Sequence, residues 1–359
     1  MLAQGRLMAW RHPPRRSVHP KNRKEELEAG GVRDVACSVE IGRRESPFSG
    51  SPRGTTIQNL LSDLHLQAVT DHIRSKARRF PVTTFFLLTF LLSWGYAGLL
   101  FGLVGTDLPG LVQVPFAWGP LLGGLLTVWL LGESVSGWLG QVGRWRANLG
   151  WYLLGIGLLV VGKDMPNVVA WLLGADLSVV AGTKVPLVGY LVSMGITLLL
   201  AGALEEFGWR GFAQVRLQKQ YGALTACVVV GGVWTLWHLP YIVAGVGNFP
   251  PLYAYVPEVV AFSLVLGWLY NATEGALPVV MITHATHNRP DLLGVSGEMP
   301  PIAQSVPWDA VFYVLVMTLV VWQVGASTLT AEGTLPEIPG KTAPESDPEP
   351  SSPEAETEP

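Results

Sequence analysis

Residues 189–211 read GYLVSMGITLLLAGALEEFGWRG. Sixteen residues without a charge run straight into two adjacent carboxylates, Glu205 and Glu206, and then a guanidinium, Arg210. The first part is apolar enough for a membrane-spanning helix. The second carries groups whose insertion at the bilayer centre costs about 2.5–3.5 kcal/mol each. Such a stretch is either a helix end at the membrane surface, where acids and Arg are ordinary, or a functional site placed inside the membrane.

The composition favours a membrane setting. The chain has 359 residues, 14% of them charged, with 14 Trp and a mean hydropathy of +0.35. These values suit a polytopic membrane protein better than a soluble globule. Charge is concentrated at the ends: residues 1–79 hold 15 of the 24 Lys and Arg, and residues 80–329 only 19 charged groups. The last thirty residues hold 8 acids against a single Lys341, so the net charge of −3 is a cancellation between two tails. Cys37 and Cys227 have neither metal-ligand spacing nor the look of a disulfide framework.

The chain divides accordingly. Residues 1–56, rich in Arg, Ser, Pro and Gly, read as a disordered basic extension, or as the product of a start placed too far upstream. Ile57, Leu60, Leu61, Leu64 and Ile73 recur at helical spacing, so 57–79 is expected to be an amphipathic helix on the membrane surface. Residues 80–329 read as an all-α transmembrane domain of about eight helices around an intramembrane polar cavity. The spans are expected near 82–104, 112–131, 149–173, 186–207, 221–241, 256–273, 275–290 and 307–326, the third kinked or split at GKDMP (162–166). RSKARR (74–79), Arg144, Arg146, Arg216 and Lys219 fall on one side, which places both termini in the cytoplasm of what is expected to be a bacterial cell. Residues 330–359, dense in Pro and Glu, read as a disordered acidic tail.

Three polar clusters interrupt the apolar runs: Glu205, Glu206 and Arg210; His238 in WTLWHLP; and His284, His287 and Asn288 in THATHN. Adjacent acids on a helix diverge by about 100°, so they need not share one task. Glu206 and Arg210, at i,i+4, can pair along one face, which leaves Glu205 freer to act as a general base. His284 and Asn288, also at i,i+4, can aim two donors at one point, as an oxyanion requires. His238 could share a water with Glu205 or hold a metal with it. Each cluster alone has a bland reading as an interfacial helix end; three on successive helical segments are hard to obtain by chance.

These residues carry a family resemblance. EEFGWRG resembles the E-E-x-x-x-R motif of the CPBP intramembrane proteases, which include the CAAX prenyl proteases and bacteriocin-processing proteins. WTLWH resembles the family's F-x-x-x-H motif with Trp234 in place of Phe, and HATHN its H-x-x-x-N motif through His284 and Asn288. The resemblance covers roughly residues 185–290. It implies an intramembrane endopeptidase in which Glu205, assisted by His238, activates water, His284 and Asn288 stabilise the oxyanion, and Glu206 and Arg210 fix the geometry; His287 is outside the pattern. The family has also been viewed as zinc-dependent, and Glu205, His238 and His284 would be the ligands if a metal is used. The sequence, with carboxylate and imidazole but no HExxH, leaves both accounts open.

The expected partners are the lipid bilayer and a membrane-tethered or CAAX-like peptide, with no nucleic acid. A non-catalytic scaffold or bacteriocin self-immunity protein is the alternative, and an ion transporter a further rival. A serine protease is rejected, because GVSG (294–297) is followed by EMPP rather than a helix and by no later His. One difficulty stands: with a straight span ending near 207, Glu205 lies near the cytoplasmic end and His238 toward the far side. A shared water then requires that the fourth helix continue past Arg210 or that 212–222 re-enter the membrane.

Overall fold

Apolar runs of some twenty residues satisfy their backbone in lipid by folding into helices, and the structure, a computed structural model, is helical in nearly every such run. It describes residues 57–179, 187–296 and 298–341. The expected disordered head, 1–56, and the tail beyond 341 lie outside the described residues.

Helix α1 (Ile57–Arg79) precedes α2 (Pro81–Val104) and α3 (Gly110–Leu131). Then come α4 (Leu149–Lys163) and α5 (Met165–Leu172), bent by 50° at their junction. The kink expected at GKDMP is therefore present, and it falls where Pro166 denies a backbone N–H to the ladder. Helix α6 (Leu187–Leu200) leads through the polar motif to α7 (Val215–Tyr221). The remainder comprises α8 (Ala223–Trp237), α9 (Leu239–Ala244), α10 (Leu252–Ala272), α11 (Leu277–His287) and α12 (Trp308–Val324). One small antiparallel pair, β1 (Asp176–Val179) with β2 (Leu293–Ser296), joins the chain after α5 to the chain after α11. GVSG thus falls largely in an extended strand.

This is a polytopic helical membrane protein. All eight expected runs fall on helices, but the span count needs correction. Among the described residues five helices are long and apolar enough to cross, or six with the bent pair. Helix α12 has 17 residues, and α11 has only 11, about 16 Å of rise, far short of the hydrocarbon thickness. Helix α11 is apolar because it is buried in protein, with Val279, Val280 and Met281 all in the core. The lipid-facing surface lies elsewhere: Leu103 is 76%, Val243 82% and Trp322 80% exposed.

Small residues let the helices approach closely. Gly119 and Gly123 of α3 lie against Ser93 and Thr89 of α2, and Gly155 of α4 against Thr283 of α11. Residues 330–341, expected to belong to the acidic tail, are packed on the bundle. Leu329 and Thr330 are buried, and Leu335 and Ile338 pack on the core. The carbonyls of Ala326 and Ser327 accept from the first N–H groups of α8, and Gly340 O accepts from Ser134 N at 2.9 Å. The segment 326–341 is a strap across one end of the bundle, held by backbone bonds that a composition rich in Pro and Glu does not advertise. At that end Arg78 Nε also donates to Leu131 O at 3.4 Å, and Arg216 pairs with Glu133.

Candidate functional site

The motif stretch does not end where the apolar run does. After a break at Ala201 (φ −129°, ψ −127°) the chain makes a 3-10 turn, Gly202–Glu205, a short α stretch, Glu206–Gly208, and a π segment, Trp209–Gln214, before α7. The expected span near 186–207 is therefore too short. Leu191–Tyr221 is one apolar helical run of 31 residues, and Glu205 sits near its middle. Of the two routes the shared-water geometry allowed, the continuing helix is the one taken. Close packing holds this irregular run: Gly208 lies against the Pro120 backbone, and Trp138 Nε1 donates to Gly211 O at 3.1 Å.

Glu205 is buried, and its Oε2 accepts from two indoles, Trp234 Nε1 at 2.9 Å and Trp209 Nε1 at 3.3 Å. Glu206, fully buried, faces a different way, as adjacent helical residues must. Its Oε1 accepts from His284 Nδ1 at 2.7 Å, and its Oε2 lies 3.3 Å from Arg210 Nε in an ion pair. The guanidinium of Arg210 is also buried, with its centre 5.0 Å from the Trp234 ring centroid. Paired charge and a cation–π contact offset the loss of water that burial imposes.

His238 caps α8 and leads directly into α9, whose first turn carries Pro240, so it stands at a break within the apolar run Ala223–Ala244. Its Nδ1 lies 3.0 Å from Trp234 O. A carbonyl only accepts, so Nδ1 carries the proton and Nε2 of the neutral ring is a free acceptor. Rings of Trp237, Tyr255 and Phe249 surround it at 4.6, 5.7 and 5.5 Å between centroids.

His284, buried on α11, and Asn288, exposed at its C-terminal cap, meet over Gly202. A Cβ placed on Gly202 would lie 2.6 Å from Asn288 Nδ2 and 2.8 Å from His284 Nε2. Two polar nitrogens thus converge on one point beside the turn that carries Glu205. The site is closed at Glu206 and Arg210 and opens at Asn288. His287 faces elsewhere, with Nε2 3.4 Å from Glu258 and its ring stacked on Phe262 at 4.3 Å.

All six singled-out residues, Glu205, Glu206, Arg210, His238, His284 and Asn288, are therefore linked in one neighbourhood. Trp234 is the connector that sequence reasoning passed over. Its N–H reaches Glu205, its face Arg210, its ring edge His284 at 5.2 Å, and its carbonyl His238. Among the described residues no three His, Cys, Asp or Glu gather as a metal would need. Glu205, His238 and His284 are thus not gathered as a three-residue ligand set in this arrangement.

Comparison with known proteins adds an independent line. Residues 187–289 match the family described as Type II CAAX prenyl endopeptidase, Rce1-like. A stretch of 45 residues is 49% identical to CAAX prenyl protease 2 of Methanococcus maripaludis, covering 12% of this chain and 17% of that protein. The match therefore spans less than a fifth of that relative's length. Across residues 187–289, the run that carries all three polar clusters, the chain is similar to the Type II CAAX prenyl endopeptidase family.

Proposed function

We propose that the chain is an intramembrane endopeptidase that hydrolyses a peptide bond of a membrane-tethered, CAAX-like substrate with a water activated by Glu205. The observation that carries this reading is the convergence of His284 Nε2 and Asn288 Nδ2 on one point over Gly202, in the turn that bears the indole-held Glu205. A carbonyl oxygen at that point would meet two donors as it becomes an oxyanion.

The reaction balances with these groups alone. Glu205 takes a proton from water, and the hydroxide attacks the scissile carbonyl carbon. His238 Nε2 accepts a hydrogen bond from the same water. As the tetrahedral intermediate collapses, Glu205 returns the proton to the leaving amine and the C–N bond breaks. His284 can donate from Nε2 while Nδ1–H is held by Glu206 only as an imidazolium, so Glu206 acts as its counter-charge. Arg210 holds Glu206 in place from the other side. The basic residues clustered at one bundle end support a cytoplasmic position for both ends of the described chain.

The test compares membranes carrying the wild-type chain with membranes carrying Glu205→Ala at matched expression, with new peptide N-termini captured by terminal labelling. Termini that appear only with the wild type establish proteolysis and expose the substrate. Identical catalogues, repeated with His284→Ala, favour the scaffold or immunity reading instead.

A further inference from the structure

Position 234 departs from the motif that this region otherwise resembles, and the departure lands on the carboxylate. A Phe there would pack; the Trp also donates, with Nε1 2.9 Å from Glu205 Oε2. We propose that Trp234 is a positioning residue of this chain, which with Trp209 clamps Oε2 and turns Oε1 of Glu205 toward the reacting water. The inference rests on the peptidase reading and adds a residue to it.

The geometry gives the clamp its direction. Trp209 donates from the motif's own helical run and Trp234 from α8, so the two indoles reach Oε2 from different elements. Neither indole bonds to Oε1. A carboxylate gripped at one oxygen from two sides keeps its plane, and a general base that keeps its plane needs less reorganisation to reach its proton. The Trp234 indole is itself fixed, by Arg210 at its face and by Phe262 stacked at 5.6 Å. Trp234 touches no reacting atom; it acts through Glu205.

The experiment uses the full-length chain and a quenched peptide copying the most abundant wild-type-specific cut from the terminal-labelling comparison. Three enzymes are compared with wild type: Trp234→Phe, Trp234→3-benzothienylalanine and Glu205→Gln. Benzothienylalanine keeps the bicyclic shape, the Arg210 face and the His284 edge but has no N–H, so it separates donation from packing. We expect kcat to fall about tenfold to a hundredfold for both replacements at 234, as loss of a hydrogen bond to a charged group implies, with KM within about threefold of wild type. Wild-type kcat with benzothienylalanine would show that only ring volume matters and would overturn the inference while leaving the peptidase reading intact. Identical termini from wild type and Glu205→Gln would overturn the peptidase reading and this inference with it.

Discussion

Gly202→Ala is the substitution that tests the site most directly, because it adds one methyl where the reaction is placed. The backbone of Gly202 is not in the left-handed region, so Ala brings no conformational penalty. The added Cβ would stand 2.6 Å from Asn288 Nδ2 and 2.8 Å from His284 Nε2, short of ordinary contact by about 0.8 and 0.6 Å. His284 is fixed by Glu206 at its far nitrogen, so the relief comes from Asn288 swinging outward and from exclusion of the substrate oxygen. Working donors lie about 2.7–3.1 Å from the oxyanion, and losing one costs about 10²–10³ in kcat, roughly 2.7–4 kcal/mol. The stability loss should be modest, about 1–3 kcal/mol as for other overpacked sites. The assay is a double-mutant cycle on kcat with Gly202→Ala, Asn288→Ala and the pair. If the methyl already disables Asn288, the pair falls little further than Gly202→Ala alone. A Gly202→Ala enzyme within about threefold of wild type, or losses that simply multiply, would refute the placement of the oxyanion over this glycine.

Other outcomes follow from the same geometry. Glu206→Ala leaves Arg210 buried without its partner and should destabilise the detergent-solubilised protein by about 3–5 kcal/mol, read as a lowered Tm; Glu206→Gln should lose less stability but most of the activity, since a neutral amide is a poor counter-charge for His284. Asp164 takes Arg289 Nη2 at 2.7 Å and the N–H groups of Leu292 and Leu293 at 3.0 Å each, so Asp164→Ala should lower Tm more than Asp164→Asn, which keeps one accepting oxygen. Ending the chain after Gly325 frees Ala223 N, Leu224 N and the Asn271 amide from their partners in the strap, at about 1 kcal/mol per lost bond, measurable as a reduced Tm. Phenanthroline should leave cleavage of the quenched peptide unchanged, and inhibition reversed by added zinc would overturn the metal-free chemistry.

The polar half of the site was legible because ionisable groups stand out in apolar sequence. Glu205, Glu206, Arg210, His238, His284 and Asn288 are each visible that way, and i,i+4 spacing correctly linked Glu206 to Arg210 and His284 to Asn288. Aromatic residues hide better. Trp209 and Trp234 give no sign of their role, because an indole N–H leaves no mark in hydropathy, and Gly202 is one more small residue in a membrane helix. The depth of Glu205 stayed open for a related reason: charge looks like a helix end, and only the structure shows the charges neutralising one another inside a helix that runs on to Tyr221. Span counting failed at α11, since burial in protein and burial in lipid select the same side chains. The strap 326–341 was illegible because its anchors are backbone carbonyls.

The π segment has a consequence for how this region tolerates change in length. Six successive residues, Trp209–Gln214, wind more loosely than the α turns on either side. Gln214 at its end bonds Gly267 O, Asn271 and Gln218, an amide knot that seats the far half of the run against α10. The loosely wound turn already holds an extra residue, so adding one more between 211 and 213 would rotate one half against the other by about 100°. Either the carboxylates would leave the indoles or the amide knot would open. An insertion here acts like a twist applied to a shaft, felt at both ends, whereas a single deletion is taken up as the π turn tightens to ordinary pitch.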